Sequence, residues 1–265
     1  MSLNFCFIGA GNLATHLSKA FQNKGFNILQ IYSRTEKSAK DLADVLSVNY
    51  TTSVNEIDEN ADIYFVAIND SAVAGVLSKI NFNNKLLVHC SGSLPLSAIE
   101  DFSGNTGVFY PLQTFSKNRE VDFNKIPVFI ESNSVKNQET LLQIANSISK
   151  SVSVINSERR KMLHISAVFA CNFVNYFYTI AAEILNSKDI PFDVLKPLIL
   201  ETARKVQEMA PEKAQSGPAV RFDENIISAH LQELNDFDDY RQLYMSVSKS
   251  IFEHYKKLNH GIFQG

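Results

Sequence analysis

The chain has 265 residues, 45% of them hydrophobic and 20% charged, with a formal net charge of −3. That length and apolar content suit one large domain or two ordinary ones and exclude disorder, while interspersed charges of slightly acidic balance exclude the positive field that nucleic acid requires. Cys6, Cys90 and Cys171 are odd in number and far apart in apolar runs. They fit neither a disulfide framework nor a metal site, so no metal and a reducing, cytoplasmic setting are expected.

Residues 3–8 read as a strand, with no basic n-region or cleavage pattern, so no secretory leader is expected. Strand-like and helix-like runs then alternate: helix 13–23, strand 27–32, helix 36–46, strand 62–68, helix 71–80, strand 86–90. Such alternation predicts βαβ units and a parallel, doubly wound sheet with helices on both faces. Further strands are expected at 106–110, 128–131 and 152–155, with a helix at 135–149. From there the period is helical: 158–186, 191–209, 223–234 and 238–258, with a loop at 210–222. The expected organisation is an α/β domain over residues 1–154 and an all-α domain over 155–265. Residues 165–185 are apolar enough to resemble a membrane span, but Asn172, Asn175 and Glu183 interrupt them. A helix buried on nearly all sides, and no membrane partner, is the expectation.

Gly9-Ala10-Gly11-Asn12-Leu13-Ala14 follows the first strand and opens the first helix. In that context it is the dinucleotide fingerprint of a Rossmann domain. Gly9 permits the tight turn, and Gly11 admits a pyrophosphate close to the backbone against the free N–H groups of the helix end. Ala14 stands where the third glycine would be, a position that asks only for a small residue. Asn12 and Leu13 belong to the same turn. At the end of the second strand an NAD site places a carboxylate, whereas this chain has Ser33-Arg34-Thr35, with Lys37 close behind. Those donors suit a 2′-phosphate, which predicts NADP(H).

These residues, with Ala67-Ile68-Asn69-Asp70 and His89-Cys90-Ser91-Gly92, resemble the NADP-binding superfamily that contains pyrroline-5-carboxylate reductases and F420-dependent NADP oxidoreductases. Tyr110-Pro111-Leu112-Gln113-Thr114-Phe115, the 164–172 segment, and Ser216-Gly217-Pro218-Ala219-Val220-Arg221 followed by Asp223 and His230 are similar to its DUF2520 subgroup. The resemblance spans nearly the whole chain. It implies a C-terminal domain like that of 6-phosphogluconate dehydrogenase. In the related β-hydroxyacid dehydrogenases a lysine lies four residues before an asparagine on the interdomain helix; here that residue is Val168, four before Asn172.

Ligands of open α/β sheets bind beyond the carboxyl ends of the strands, where Asn69, Asp70, His89, Ser91, Pro111 and Gln113 fall. Asn69 and Ser91 are expected on the cofactor. Asp70 is either an N-cap or a site residue, and His89 either a proton donor or a satisfied histidine at a strand end. On a uniform α-helix Asn172 and Asn175 lie about 80° and about 20° from His164, so the three form one polar stripe. That stripe either meets substrate between the domains or makes hydrogen bonds within a core. Arg221 either grips a substrate carboxylate or phosphate, or pairs with Asp223 or Glu224. His230 is either a further candidate or a surface or core histidine.

The leading expectation is an NADP(H)-dependent oxidoreductase moving hydride to or from a small carbonyl, imine or hydroxy substrate. His164 or His89 would donate the proton, with Asn172 orienting the substrate and Asn175 and Arg221 binding it. The rival is a catalytically inactive NADP(H) sensor; electron transfer to a flavin or deazaflavin is a third. A homodimer is expected, because a small helical domain would not cover the 165–185 helix alone.

Overall fold

The computed structural model describes residues 3–262, with side chains to residue 258. By its internal contacts the chain divides into two compact units, Met1–Phe173 and Val174–Gly265.

The first unit is built on one sheet, which among the described residues has eight strands: β1 (Asn4–Ile8), β2 (Asn27–Tyr32), β3 (Asn49–Thr51), β4 (Ile63–Val66), β5 (Leu86–His89), β6 (Thr106–Pro111), β7 (Val128–Ser132) and β8 (Val152–Val154). Their order is β3-β2-β1-β4-β5-β6-β7-β8. Alternation along β1 explains the two covered faces. Phe5 and Phe7 enter one apolar cluster with Leu17 and Phe21 of helix α1 (Asn12–Gln22), Leu42 of α2 (Glu36–Leu46) and Leu141 of α4 (Val135–Ile148). Cys6 and Ile8 point the other way, to Val73 and Leu77 of the short helix α3 (Val73–Leu77). A sheet covered on both sides by helices, with strands as apolar as Ile63-Tyr64-Phe65-Val66, is the Rossmann arrangement.

The sheet unit differs from the sequence reading in an added edge strand, β3, and in two further details. The sheet is mixed, since β7 runs antiparallel to β6. The β6–β7 connection carries a single 3₁₀ turn, Phe123–Lys125, and no crossover helix, so a parallel return was not available to it. The 71–80 helix is a 3₁₀ turn, Asp70–Ala72, leading into the five residues of α3.

Helix α5 (Ser157–Ala167) belongs with the sheet unit because of one side chain. Arg160, 1% exposed, pairs through Nη1 with Glu131 on β7 and donates from Nη2 to the Leu94 carbonyl. Ser157 adds hydrogen bonds to the same carboxylate, and its Oγ accepts from the Leu96 amide. Beyond α5 the chain forms a π-helical segment, Val168–Phe173.

The second unit is helical: α6 (Val174–Asn186), α7 (Lys196–Glu208), α8 (Pro211–Ala214), α9 (Pro218–Arg221), α10 (Glu224–Glu233) and α11 (Asp238–Ile262). The expected 210–222 loop thus holds two single-turn helices, each opened by a proline whose missing N–H is not needed there. In residues 174–258 only Ile180, Ile227, Leu234 and Ser248 are buried. The expectation of a helix buried on nearly all sides is therefore corrected. Across Ser157–Asn186 the apolar 18-residue window is 6% buried, and Ile165, Phe169, Phe173, Tyr176 and Phe177 are exposed, because the chain's own helices do not cover them. By length and composition alone this run could cross a membrane.

Candidate active site

The parallel strands end together, and their carboxyl edge opens into a groove of about 530 Å³. Gly9, Gly11, Asn12, Leu13, Ser33, Arg34, Thr35, Asn69 and Ser91, nine positions from four places in the sequence, all line it. Gly9 has φ +126, and a Cβ there would stand 2.2 Å from the Ala67 carbonyl oxygen, so only glycine lets β1 turn beside β4. Gly11 caps α1 with no side-chain hydrogen bond, and a Cβ built on it would meet nothing within 4 Å. That open ground in front of uncapped first-turn amides is what a pyrophosphate needs. Among the described lining residues there is no Asp or Glu, whereas Arg34 and Lys117 are present. The groove therefore fits an anion-rich ligand, and Arg34 with Ser33, Thr35 and Ser38 fits a 2′-phosphate. A second cleft, about 710 Å³, is lined by Gln22, Gly25 and Asn27 among others and carries no ionisable side chain.

Lys117 and Ser38 were not anticipated. Lys117 reaches the groove because the 115–117 segment is tied to α1: Asn12 Nδ2 donates to the Phe115 carbonyl at 2.9 Å, and His16 Nε2 lies 2.9 Å from the Ser116 carbonyl. A contact between positions 103 apart in sequence leaves no local signal.

Next to Ser91 the groove wall turns into a cluster around Gly92. Tyr110 Oη lies 3.0 Å from His164 Nδ1, with the rings edge to face, and both rings abut Gly92. His164 is half-buried and Tyr110 is 8% exposed. Burial pushes the Tyr110 hydroxyl pKa up, opposed in part by the Arg160 charge.

His89 lies at the end of β5. It is 1% exposed, its Nδ1 accepts from the Ser91 amide at 3.2 Å, and among the described residues no partner meets its Nε2 in good hydrogen-bond geometry. Burial first, then the charge of Arg160, hold its pKa down to about 3, so near neutrality its ring is uncharged. Asp70 is not an N-cap: Asn69 holds that position, and Asp70 accepts from Ser91 Oγ at 3.0 Å.

Asn172 is exposed within the π segment, one residue after exposed Cys171. A π turn takes more residues than an α turn, so the angles worked out for a uniform α-helix from His164 to Asn172 and Asn175 do not hold. Asn175 is exposed on α6, in the other unit. Arg221, also there, is exposed and faces Asp223 at 3.9 Å, while Asp223 caps α10 through the Ile226 amide. His230 bonds Tyr244 Oη at 2.8 Å.

Residues 4–92 match the family described as "NADP oxidoreductase coenzyme F420-dependent", and residues 126–251 the family described as "Domain of unknown function (DUF2520)". The crystal structure of "putative NADP oxidoreductase BF3122 from Bacteroides fragilis" is 49% identical, with a TM-score of 0.92 covering 95% of this chain and 98% of that one. An imine reductase from Myxococcus stipitatus, solved with NADP+, gives a TM-score of 0.64 over 97% of this chain and 94% of its own, at 15% identity, a likeness of fold. The curated "Putative pyrroline-5-carboxylate reductase 4" of Caenorhabditis elegans is 25% identical over 166 residues, 58% of this chain and 55% of that protein. The match thus spans little more than half of that relative's length.

Proposed function

The chain belongs to the DUF2520-bearing family of NADP oxidoreductases, and from that premise we propose that it reduces a small imine or carbonyl compound, or oxidises the corresponding amine or alcohol, with NADP(H). The observation that carries this is the groove: nine residues chosen for a dinucleotide line one surface at the carboxyl edge, with cations and no carboxylate.

When bound, the nucleotide supplies or accepts the hydride. The first-turn amides of α1 hold the pyrophosphate, and Arg34, Ser33 and Thr35 hold the 2′-phosphate. His164 would give the proton at Nε2 to the substrate nitrogen or oxygen as the adjoining carbon is reduced, passing from imidazolium to neutral imidazole, with Asn172 orienting the substrate. Between 160 and 180, His164 is the only histidine, and no Asp, Glu or further Lys follows Lys161. Asn175 and Arg221 are the proposed substrate contacts from the helical unit. We place the working form as a cytoplasmic homodimer, because the sheet unit exposes Phe169 and Phe173 and the helical unit exposes Tyr176 and Phe177, apolar area that a second copy would cover.

The test is NADPH oxidation against a panel of cyclic imines and small carbonyls. With a substrate found, His164→Ala should lower turnover by about 10²–10⁴-fold while NADPH affinity holds. One observation favours the rival NADP(H) sensor: Val168 stands where the related dehydrogenases have a lysine. NADPH binding without turnover across the panel would decide for it.

A further inference from the structure

In its neutral form His164 presents a hydrogen at Nε2 only if its other ring nitrogen serves as the acceptor, and the residues around Gly92 bear on that. Gly92 has no backbone need of glycine, since its φ lies outside the positive range. Its need is space. A Cβ there would stand 2.7 Å from His164 Cγ, 2.7 Å from His164 Nδ1 and 2.9 Å from Tyr110 Cζ. Two rings therefore occupy the volume that any other residue would fill, and they are pressed together edge to face with Oη and Nδ1 3.0 Å apart.

Tyr110 is nearly buried, and among the described residues the contact with His164 is the one hydrogen bond its hydroxyl makes. Leaving a buried O–H without an acceptor is costly, so the proton points at Nδ1. Burial also keeps that proton on the phenol by raising its pKa. A neutral imidazole that accepts at Nδ1 carries its own hydrogen at Nε2. His164 Nε2 has no hydrogen bond among the described residues, unlike the Nε2 of His16.

We propose that Tyr110 is a positioning residue that fixes neutral His164 as its Nε2–H tautomer, and that Gly92 is glycine to let the two rings meet. The inference rests on the proposed role of His164 and specifies how the chain prepares it. Ser91, the residue before Gly92, lines the cofactor groove, so the cluster stands beside the expected nicotinamide end.

The experiment is ¹⁵N NMR of histidine-labelled protein, with the His164 signals identified by their loss in His164→Gln. In the unsubstituted protein above the imidazole titration, Nε2 should read as protonated and Nδ1 as bare. Tyr110→Phe keeps the ring and removes the donor; the two His164 nitrogen shifts should then move toward each other as the Nδ1–H form becomes populated. Unchanged shifts in a folded Tyr110→Phe protein would overturn the proposal. Gly92→Ala is the second variant: the methyl must part the rings, and the same averaging is expected with the hydroxyl still in place. His164 shifts in Gly92→Ala that match the unsubstituted protein would likewise overturn it. Where a substrate is known, Tyr110→Phe should lower kcat about tenfold with KM nearly constant. If no imine or carbonyl is turned over, the reductase reading falls, and the nitrogen shifts still decide the role of Tyr110.

Discussion

The sheet unit and the helical unit are made from similar fractions of apolar residue and end in opposite states. In the first, every strand from β1 to β7 contributes side chains with almost no exposure, and the aromatic rings of Phe5, Phe7, Phe21, Phe65 and Phe109 are linked into one network by centroid separations of 4.9 to 6.2 Å. In the second, three apolar residues are buried along residues 174–258, while Val194, Leu198 and Leu200 are left at 57%, 62% and 50% exposure. A sheet with helices on both faces closes its own core. A row of helices with one apolar stripe each does not, and its hydrophobic pattern is addressed to a surface outside the chain.

The sharpest way to break this comparison is to deny the helical unit its partner. Tyr176→Asp combined with Phe177→Asp should yield monomers by sedimentation and remove the concentration dependence of the melting temperature that an unsubstituted dimer shows. A protein that is monomeric without the substitutions at micromolar concentration would end the idea. The sheet unit should respond to a single internal change instead. Arg160→Ala strips the partner from Glu131, which is 15% exposed, and should cost about 3–5 kcal/mol in denaturant unfolding, at any protein concentration.

Smaller effects separate binding from folding. Arg34→Ala removes a charge-assisted contact, so NADPH affinity should fall about ten- to a hundredfold while NADH affinity and melting of the free protein stay put. Calorimetric titration with both nucleotides reads this directly, and equal losses would refute the 2′-phosphate assignment. The smallest expected effect is a slope with pH. His89 has its pKa lowered in the folded chain to about 3, against about 6.5 unfolded, so below 6.5 the unfolded chain binds the extra proton. Its contribution to stability is full above pH 6.5 and is lost as pH falls toward 3. Between pH 6.5 and 5, before most carboxylates titrate, the loss should be roughly 1.5 kcal/mol, and His89→Leu should flatten that part of the profile.

What the sequence makes legible follows the range of the forces involved. The strand–turn–helix of Gly9 to Ala14 is local chemistry, and so are the cations after β2; both could be placed on the groove without a structure. Strand β3 could not, being three residues long with two of them exposed. Periodicity also overstated the 71–80 helix and predicted that the 165–185 helix is covered, because an apolar pattern says that a face wants burial and not which molecule provides it. The meeting of Tyr110 with His164 depends on β6 lying beside β5 and on Arg160 seating α5, both settled by tertiary packing.

The reversed strand has a topological consequence for chemistry. A parallel crossover leaves the carboxyl edge of a sheet and re-enters from the opposite edge, so half its length is spent away from ligands. Because β7 runs against β6, the chain leaves and re-enters at the same edge, and the Leu112 amide bonds the Pro127 carbonyl at 2.8 Å to close the circuit. The whole excursion between them is thereby free for recognition, and Lys117 is what it brings. Such a loop can be lengthened or exchanged without altering strand order, which makes it the part of this fold best suited to acquiring a new specificity.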